Sequence, residues 1–181
     1  MAEAAKWDKH LANVEPAAKE RQPDGTTALH WATFHNHPDA VTALLEAGAD
    51  ASAETTYQVS PLSLACELGH EQIAKLLIES KANLESKRMG GERPLMLAAR
   101  QGSAAIVKSL IDAGAKVNAK ENKQQTALMW AAAAGHADAI TQLLKGGAER
   151  DQTLKSGFNA FLFAVREGRT EATLRLLDAG C

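Results

Sequence analysis

Aromatic residues are scarce in this sequence: they make up 4% of its 181 residues, although 45% of all residues are hydrophobic. A core built from such a chain must consist mainly of Leu, Ile, Val and Ala side chains. Long apolar runs are also missing, and none reaches the roughly 18 residues that a membrane-spanning helix needs. We therefore expect an aliphatic core and no membrane partner.

Cysteine is nearly absent, and the two that occur, Cys66 and Cys181, have no spacing typical of a disulfide framework or a metal site. Cys66 is most simply a small buried hydrophobic residue. The chain also lacks an excess of one charge, since its formal net charge is −2. This balance argues against a general binder of nucleic acid or of anionic membranes.

The first ten residues, MAEAAKWDKH, contain no apolar segment of the kind that secretory signal peptides carry. A cytoplasmic location is therefore the default expectation. An extracytoplasmic location would follow if a signal peptide had been removed.

Motifs that bind nucleotides or orient a catalytic nucleophile are missing as well. The sequence contains no G-x-G-x-x-G, no Walker loop and no G-x-S-x-G. His35-Asn36-His37 shares the letters of a nuclease motif, but it spans a predicted helix end and no third metal ligand is evident. We expect no enzymatic activity, no catalytic residue, no metal site and no cofactor.

What the sequence does contain is one phrase that returns five times at a spacing of 33 residues. Its copies read TALHWATFHNH from Thr27, SPLSLACELGH from Ser60, RPLMLAARQGS from Arg93, TALMWAAAAGH from Thr126 and NAFLFAVREGR from Asn159. A second phrase, LLEAGAD at Leu44, recurs with the same spacing. Repetition at this period indicates a solenoid of stacked units.

Each unit predicts two short helices followed by a loop. In the third unit the first helix covers about 93–101 and the second about 104–112, where apolar residues follow helical spacing. Gly102 lies between them and suits the left-handed residue that ends a helix. Asn36 occupies this position in the first unit, and Asn is the usual substitute for Gly in that conformation.

One position of every first helix carries a small residue, which would let neighbouring units approach closely. These residues are Ala32, Ala65, Ala98, Ala131 and Ala164. Leucines at 29, 62, 95 and 128, with Phe161 in the fifth unit, are predicted to fill the layer between units.

These residues resemble the ankyrin repeat, with its T-P-L-H-x-A opening, its Gly-His after the first helix and its L-L-x-x-G-A close. The resemblance covers about Asp24 to Cys181, and is greater to bacterial ankyrin proteins than to eukaryotic receptor ones. It implies an all-α fold, an ankyrin-repeat solenoid of helix-turn-helix-hairpin units stacked along a curve. His30 keeps the family's histidine, but the other units replace it, which argues against a histidine ladder between repeats. Gln58 and Gln124 replace the hairpin glycine, so we expect less tightly turned loops there.

The 33-residue register divides the chain into an N-terminal segment and five repeats. Residues 1–23 are interpreted as an N-terminal capping half-repeat, with Trp7 and Leu11 at second-helix positions, or as a leader, and 15–23 as a loop. The five predicted repeats are 24–56, 57–89, 90–122, 123–155 and 156–181. The last second helix has Leu174 where other units have Thr or Lys, so we expect the natural protein to continue beyond residue 181 or a partner to cover this end.

The resemblance implies a function, since the usual work of the family is to bind other proteins on a concave side formed by hairpin tips and first helices. We expect a non-enzymatic, monomeric scaffold for protein–protein interaction that binds an unidentified protein or peptide. The alternative is a targeting or regulatory segment of a larger enzyme or effector, and a third possibility is a structural scaffold without a ligand.

Family contact positions beside the hairpin glycine and at the end of the first helix, carried over to this chain, give the candidate site. The candidate residues are Phe34, His35, Tyr57, Val59, Glu67, Leu68, Met89, Glu92, Arg100, Gln101, Lys123, Phe158 and Arg166. Phe34, Tyr57, Val59 and Leu68 would form an apolar patch over the first two units, unless Phe34 or Leu68 covers neighbouring helices instead. The cations Lys87, Arg88, Arg93 and Arg100 would contact an acidic partner or form a solvated loop. They lack the interleaved aromatics that stack nucleic-acid bases.

Overall fold

A computed structural model describes the backbone of residues 14–181 and the side chains of residues 16–181. In this part of the chain it contains one short helix, α1 (Val14–Lys19), followed by five helix pairs. The pairs are α2 (Ala28–Phe34) with α3 (Pro38–Glu46), α4 (Pro61–Leu68) with α5 (Glu71–Glu79), α6 (Pro94–Gln101) with α7 (Ala104–Asp112), α8 (Ala127–Ala134) with α9 (Ala137–Lys145), and α10 (Ala160–Arg166) with α11 (Thr170–Asp178). The described residues form no β-strand, only an isolated antiparallel bridge between Arg21 and Thr27. The predicted all-α fold is confirmed.

The helix pairs stack in two layers. Within each pair the two helices contact each other, each first helix packs against the first helix of the next pair, and each second helix packs against the next second helix. The same unit is thus translated along the chain, as in a solenoid.

The small residues of the first helices lie at the centre of this stack. Ala32, Ala65, Ala98, Ala131 and Ala164 are each 0% exposed. We call these five residues the alanine seam. The leucines at 29, 62, 95 and 128 are at most 3% exposed, whereas Phe161 packs against the core but stays partly exposed. A side chain larger than a methyl group at the seam would push neighbouring first helices apart.

Local signals at both ends of the first helices explain where they begin and end. Ser60 Oγ accepts the N–H of Ser63 at 3.2 Å, and Ser63 Oγ accepts the N–H of Ser60 at 3.0 Å, a reciprocal cap. Gly102 follows α6 with φ of 94°, and Asn36 follows the first helix of the first unit with φ of 56°. The left-handed residue predicted after each first helix is confirmed at both positions.

The prediction of looser loops at Gln58 and Gln124 is wrong. Gln58 has φ of 57° and Gln124 has φ of 66°, in the same left-handed region as Gly91 at 84°. The N–H of Gln58 donates to Thr55 O at 2.9 Å, just as the N–H of Gly91 donates to Arg88 O at 2.7 Å. The hairpin hydrogen bonds therefore hold glutamine in a conformation that glutamine does not favour by itself.

The prediction of a loop over 15–23 is wrong in its first part, because Val14–Lys19 is helical. Ala17, Ala18 and Lys19 all favour helix, and Ala18, which is 5% exposed, joins the hydrophobic core. This helix packs against α2 and α3. Trp7 and Leu11, the residues of the predicted N-terminal cap, lie outside the described residues.

Overpacking the alanine seam should destabilise the stack. We expect Ala131→Leu to lower the free energy of unfolding by about 1–3 kcal/mol, because Ala131 is fully buried between first helices. Ala105→Leu is the matched control, since Ala105 lies exposed on a second helix. Urea denaturation followed by circular dichroism measures both. Equal midpoints for the two variants would contradict the close packing of the seam.

Lys81 offers a test of backbone strain. It has φ of 62° at a position where the other units have glycine, among them Gly114 with φ of 95°. A Cβ atom built on Gly114 meets nothing within 4 Å, so the penalty for a side chain at this position comes from the backbone alone.

We expect Lys81→Gly to raise, and Gly114→Ala to lower, the free energy of unfolding by about 1 kcal/mol each. Asn36→Gly is the control with a smaller expected gain, because asparagine tolerates this conformation. The same urea titration measures all three, and a destabilised Lys81→Gly variant would show that Lys81 contributes something other than strain.

Candidate functional site

The candidate site is the surface formed by the last turns of the first helices and by the hairpin loops that precede them. Two side chains of each first helix, just before its end, lie on this surface. From the first unit to the fifth, these pairs are Phe34 and His35, Glu67 and Leu68, Arg100 and Gln101, Ala133 and Ala134, Arg166 and Glu167. Because each unit repeats the one before it, equivalent positions lie side by side in two rows.

The first unit carries three exposed rings in mutual contact, which we call the aromatic cluster: Trp31, Phe34 and His35. The His35 ring stacks on Trp31 with centroids 6.1 Å apart, and Phe34 meets His35 edge to face at 5.2 Å. Trp31 is 45% exposed and Phe34 50% exposed. Phe34 therefore does not fold over a neighbouring helix to become buried.

Further apolar side chains are exposed in the neighbouring units. Tyr57 is 65% exposed and Met89 71% exposed, both on hairpin loops, and Leu68 at the end of α4 is 39% exposed. The loop of Tyr57 is fixed from within, because Thr55 Oγ1 accepts the N–H of Tyr57 and that of Val59, each at 3.2 Å. Three of the four residues of the predicted patch thus present their side chains to solvent, while Val59 is half-buried.

His30 connects the first unit to this loop. Since a carbonyl only accepts, Nε2–H of His30 donates to Val59 O at 2.9 Å, and Nδ1 is then the acceptor for the N–H of Thr27 at 3.2 Å. Burial lowers the pKa of His30 below its usual value of 6.5. Ser63, Met96, Met129 and Leu162 occupy the equivalent positions, so this bond is not continued along the stack as a histidine ladder.

The second and third units are joined by ion pairs on the same surface. Glu67 lies between two guanidinium groups, 2.7 Å from Arg88 and 2.9 Å from Arg100. The Arg100 guanidinium also lies 5.0 Å above the Trp130 ring. The candidates Glu67 and Arg100 are thus brought together, although each is already engaged within the chain.

The fourth unit has an open space where the other units have larger side chains. This hollow measures about 330 Å³. It is lined by Gln125, Met129, Trp130, Ala133 and Ala134, with Arg100 and Glu167 at its edge. We call it the alanine hollow.

The fifth unit turns its candidates inward or against each other. Phe158 is half-buried and meets Phe163 at a centroid distance of 5.4 Å. The Arg166 guanidinium covers both rings at 5.2 and 5.0 Å and pairs with Glu167 at 2.8 Å. Phe158 therefore belongs to the edge of the core more than to an open surface.

The remaining three candidates differ in whether their side chains already contact other residues. The Gln101 side chain packs on Gly69, and the Glu92 carboxylate lies against Gly90. A Cβ atom on either glycine would overlap the side chain that packs on it. Lys123 extends an exposed side chain, while its N–H donates to Glu121 Oε2 at 2.8 Å. Of these three, only Lys123 is an unengaged side chain.

Trp31 and Trp130 contribute to this surface but are not among the candidates. Arg88, one of the four cations considered for an acidic partner, pairs with Glu67 at 2.7 Å. Both tryptophans occupy a position that holds Leu64, Leu97 and Phe163 in the other units; Leu97 and Phe163 are buried, whereas Leu64 is half-buried. The sequence signal for the two tryptophans is a residue type frequent at binding surfaces, at a helix position that the other units fill with leucine or phenylalanine.

Within residues 16–181 no three His, Cys, Asp or Glu side chains are grouped so that they could hold a metal ion. His35 and His37 have ring centroids 6.2 Å apart. Among the described helices, none combines the length and the apolar content that crossing a membrane requires.

Comparison with known families gives one result. The family model described as ankyrin repeats (3 copies) matches three overlapping stretches, residues 3–88, 51–121 and 95–181. Together these stretches cover nearly the whole chain. Comparison with curated proteins gives no match.

Acid should destabilise the buried, neutral form of His30, whose Nδ1 accepts the N–H of Thr27. A proton on Nδ1 would remove the acceptor for the Thr27 N–H, and burial resists that proton in the folded chain. The unfolded chain takes up this proton near pH 6.5. The contribution of neutral His30 to the free energy of unfolding is therefore complete above that pH, and it decreases as the pH falls toward the lowered pKa of His30 in the folded chain. We expect the wild type to lose more stability between pH 7.5 and 5.5 than His30→Ser does.

The control uses a residue that the fold already accepts at this position. In the second unit Ser63 makes the reciprocal cap with Ser60 and does not titrate. Urea midpoints at the two pH values measure the difference between the proteins. Identical pH dependence for wild type and variant would contradict the assignment to His30.

Proposed function

We propose that this chain, which belongs to the ankyrin repeat family, is a non-enzymatic scaffold that binds a protein or peptide on the surface of its first helices and hairpin loops. Ankyrin repeats are generally protein–protein interaction modules and are typically not catalytic. That the present chain is itself not an enzyme, acts as a monomer, and uses the concave side of its stack is part of the proposal. So is the division into the units 24–56, 57–89, 90–122, 123–155 and 156–181.

The exposed aromatic side chains of the first two units carry the proposal. The whole chain has three tryptophans, one tyrosine and four phenylalanines, yet Trp31, Phe34 and Tyr57 are 45%, 50% and 65% exposed on adjoining units. Leaving such side chains in water forgoes the free energy of burying them. Exposed apolar groups of this kind mark interaction sites, and tryptophan and tyrosine are frequent anchors of binding energy.

The support beneath these side chains also suits binding. The backbone of α2 is fixed by the buried Ala32, and the loop of Tyr57 is held by Thr55 and by the bond from His30. A surface that is ordered before the partner arrives loses little conformational entropy on binding. The aromatic cluster is therefore presented on a rigid support.

We expect Phe34→Ala and Tyr57→Ala each to weaken binding by more than about 1 kcal/mol, roughly fivefold in Kd. The partner is to be captured with the wild type and with the Phe34/Tyr57 double variant in parallel, and then titrated calorimetrically against each single variant. Lys108→Ala is the control, since Lys108 lies exposed on α7 and pairs with Asp112 on the same helix.

Two results would reject the proposal. One is a partner that binds the double variant as tightly as the wild type. The other is a partner whose affinity falls for Lys108→Ala but not for the aromatic variants, since that would place binding on the second helices.

A further inference from the structure

The alanine hollow is specific to the fourth unit. In the first of the two surface rows the other units have Phe34, Glu67, Arg100 and Arg166, and in the second they have His35, Leu68, Gln101 and Glu167. Only the fourth unit has a methyl group in both rows, at Ala133 and Ala134. The hollow of about 330 Å³ is therefore a feature of these side chains, not of the repeat backbone.

The walls of the hollow are held in place before anything binds. Trp130 is fixed on two sides: its Nε1–H donates to Gln125 Oε1 at 3.1 Å, and the Arg100 guanidinium covers its ring at 5.0 Å. Met129, which is 2% exposed, supplies a further buried apolar wall. A preformed apolar space of this kind suits an anchor side chain.

The charges at the edge of the hollow are already paired. Arg100 lies 2.9 Å from Glu67, and Glu167 lies 2.8 Å from Arg166. A charged group placed here would therefore gain no free counter-charge from Arg100 or Glu167. The hollow therefore fits an uncharged apolar side chain, and its volume is at the lower end for ligand pockets, which suits one large side chain.

The hairpin loops beside the hollow carry positive charge without partners. Lys87, Lys120 and Lys123 are exposed, and none of the three forms an ion pair with a described residue. The Glu121 carboxylate forms no ion pair with these lysines within the described part of the chain; it is buried and accepts the backbone N–H groups of Lys123 and Gln125 at 2.8 and 2.9 Å.

The two hairpin loops that carry these lysines adjoin each other and the hollow. The N–H of Asn122 donates to Gly90 O at 3.0 Å, and Asn122 Nδ2 donates to Met89 O at 3.2 Å. Gln125 lines the hollow only two residues after Lys123. An apolar anchor in the hollow would thus be flanked, on the hairpin side, by a basic edge.

We propose that the partner of this surface is an acidic peptide segment that places one large apolar side chain in the alanine hollow and turns carboxylates toward Lys120 and Lys123. The exposed lysines of the basic edge favour an acidic partner. The hollow favours an uncharged anchor, because the charged residues that line it are already paired. This inference rests on the proposed function, because both use the surface of first helices and hairpin loops.

Selection from a random 12-residue peptide library displayed on phage, with the full 181-residue chain as bait, tests this inference. The selected peptides should share a large apolar residue with acidic residues near it. Synthetic copies are then titrated against the wild type by fluorescence polarisation. We expect Ala133→Arg to weaken their binding at least tenfold, because its side chain would fill the hollow.

The charge reversal Lys120→Glu/Lys123→Glu should also weaken binding at least tenfold and remove most of its dependence on salt. Arginine at 133 matches Arg100 and Arg166 of the same row, so the fold should accept it, and circular dichroism checks this. Ala134→Glu, which matches Glu167, fills the hollow independently should Ala133→Arg fail to fold. Ala105→Arg on the exposed side of α7 is the matched control and should leave Kd unchanged.

The outcomes separate this inference from the proposed function. Peptides that lose affinity for Phe34→Ala/Tyr57→Ala but bind both hollow-filling variants with unchanged Kd would overturn the inference and leave the proposed function standing. Selected peptides without acidic residues would also overturn it. A library that yields no binding peptide at all would count against both.

Discussion

Close approach of the first helices at the alanine seam is the constraint on which the rest of this structure depends. The five seam residues bring no side chain beyond a methyl group and are fully buried, so consecutive first helices can pack directly against each other. The leucine layer beside them then fills the remaining space with little strain. Because one small residue recurs in each unit, the same contact is made four times between the five pairs.

The seam also determines what the surface can do. It keeps successive first helices in contact, so equivalent side chains form rows. Left-handed residues such as Asn36 and Gly102 follow those rows directly. The surface side chains differ from unit to unit, although the backbone repeats. Exposed rings dominate the first unit, ion pairs around Glu67 join the second and third, and the fourth has the alanine hollow. A partner would be recognised by this sequence of environments, while the backbone is common to all units.

The helices are well predicted from the sequence because five copies of the same unit can be compared with one another. The second helix of the third unit, for example, is predicted at about 104–112 and is Ala104–Asp112. Conformations that depend on tertiary contacts are harder to predict from the sequence. Gln58 and Gln124 adopt the left-handed conformation because hairpin hydrogen bonds outweigh their own preference, and α1 is stabilised by packing of Ala18 against the stack. For the surface, the period identifies positions but not exposure: Trp31 and Phe163 are equivalent, and one is exposed while the other is buried.

Amide hydrogen exchange, measured on the chain alone and saturated with a bound peptide, tests most directly the proposal that a partner binds on the surface of the first helices and hairpin loops. The account predicts slower exchange on binding in the hairpin loop around Tyr57 and in the ends of α2, α4 and α8, with no change in the second helices α3, α5, α7 and α9. Protection confined to those second helices, with the hairpin loops unaffected, would contradict it.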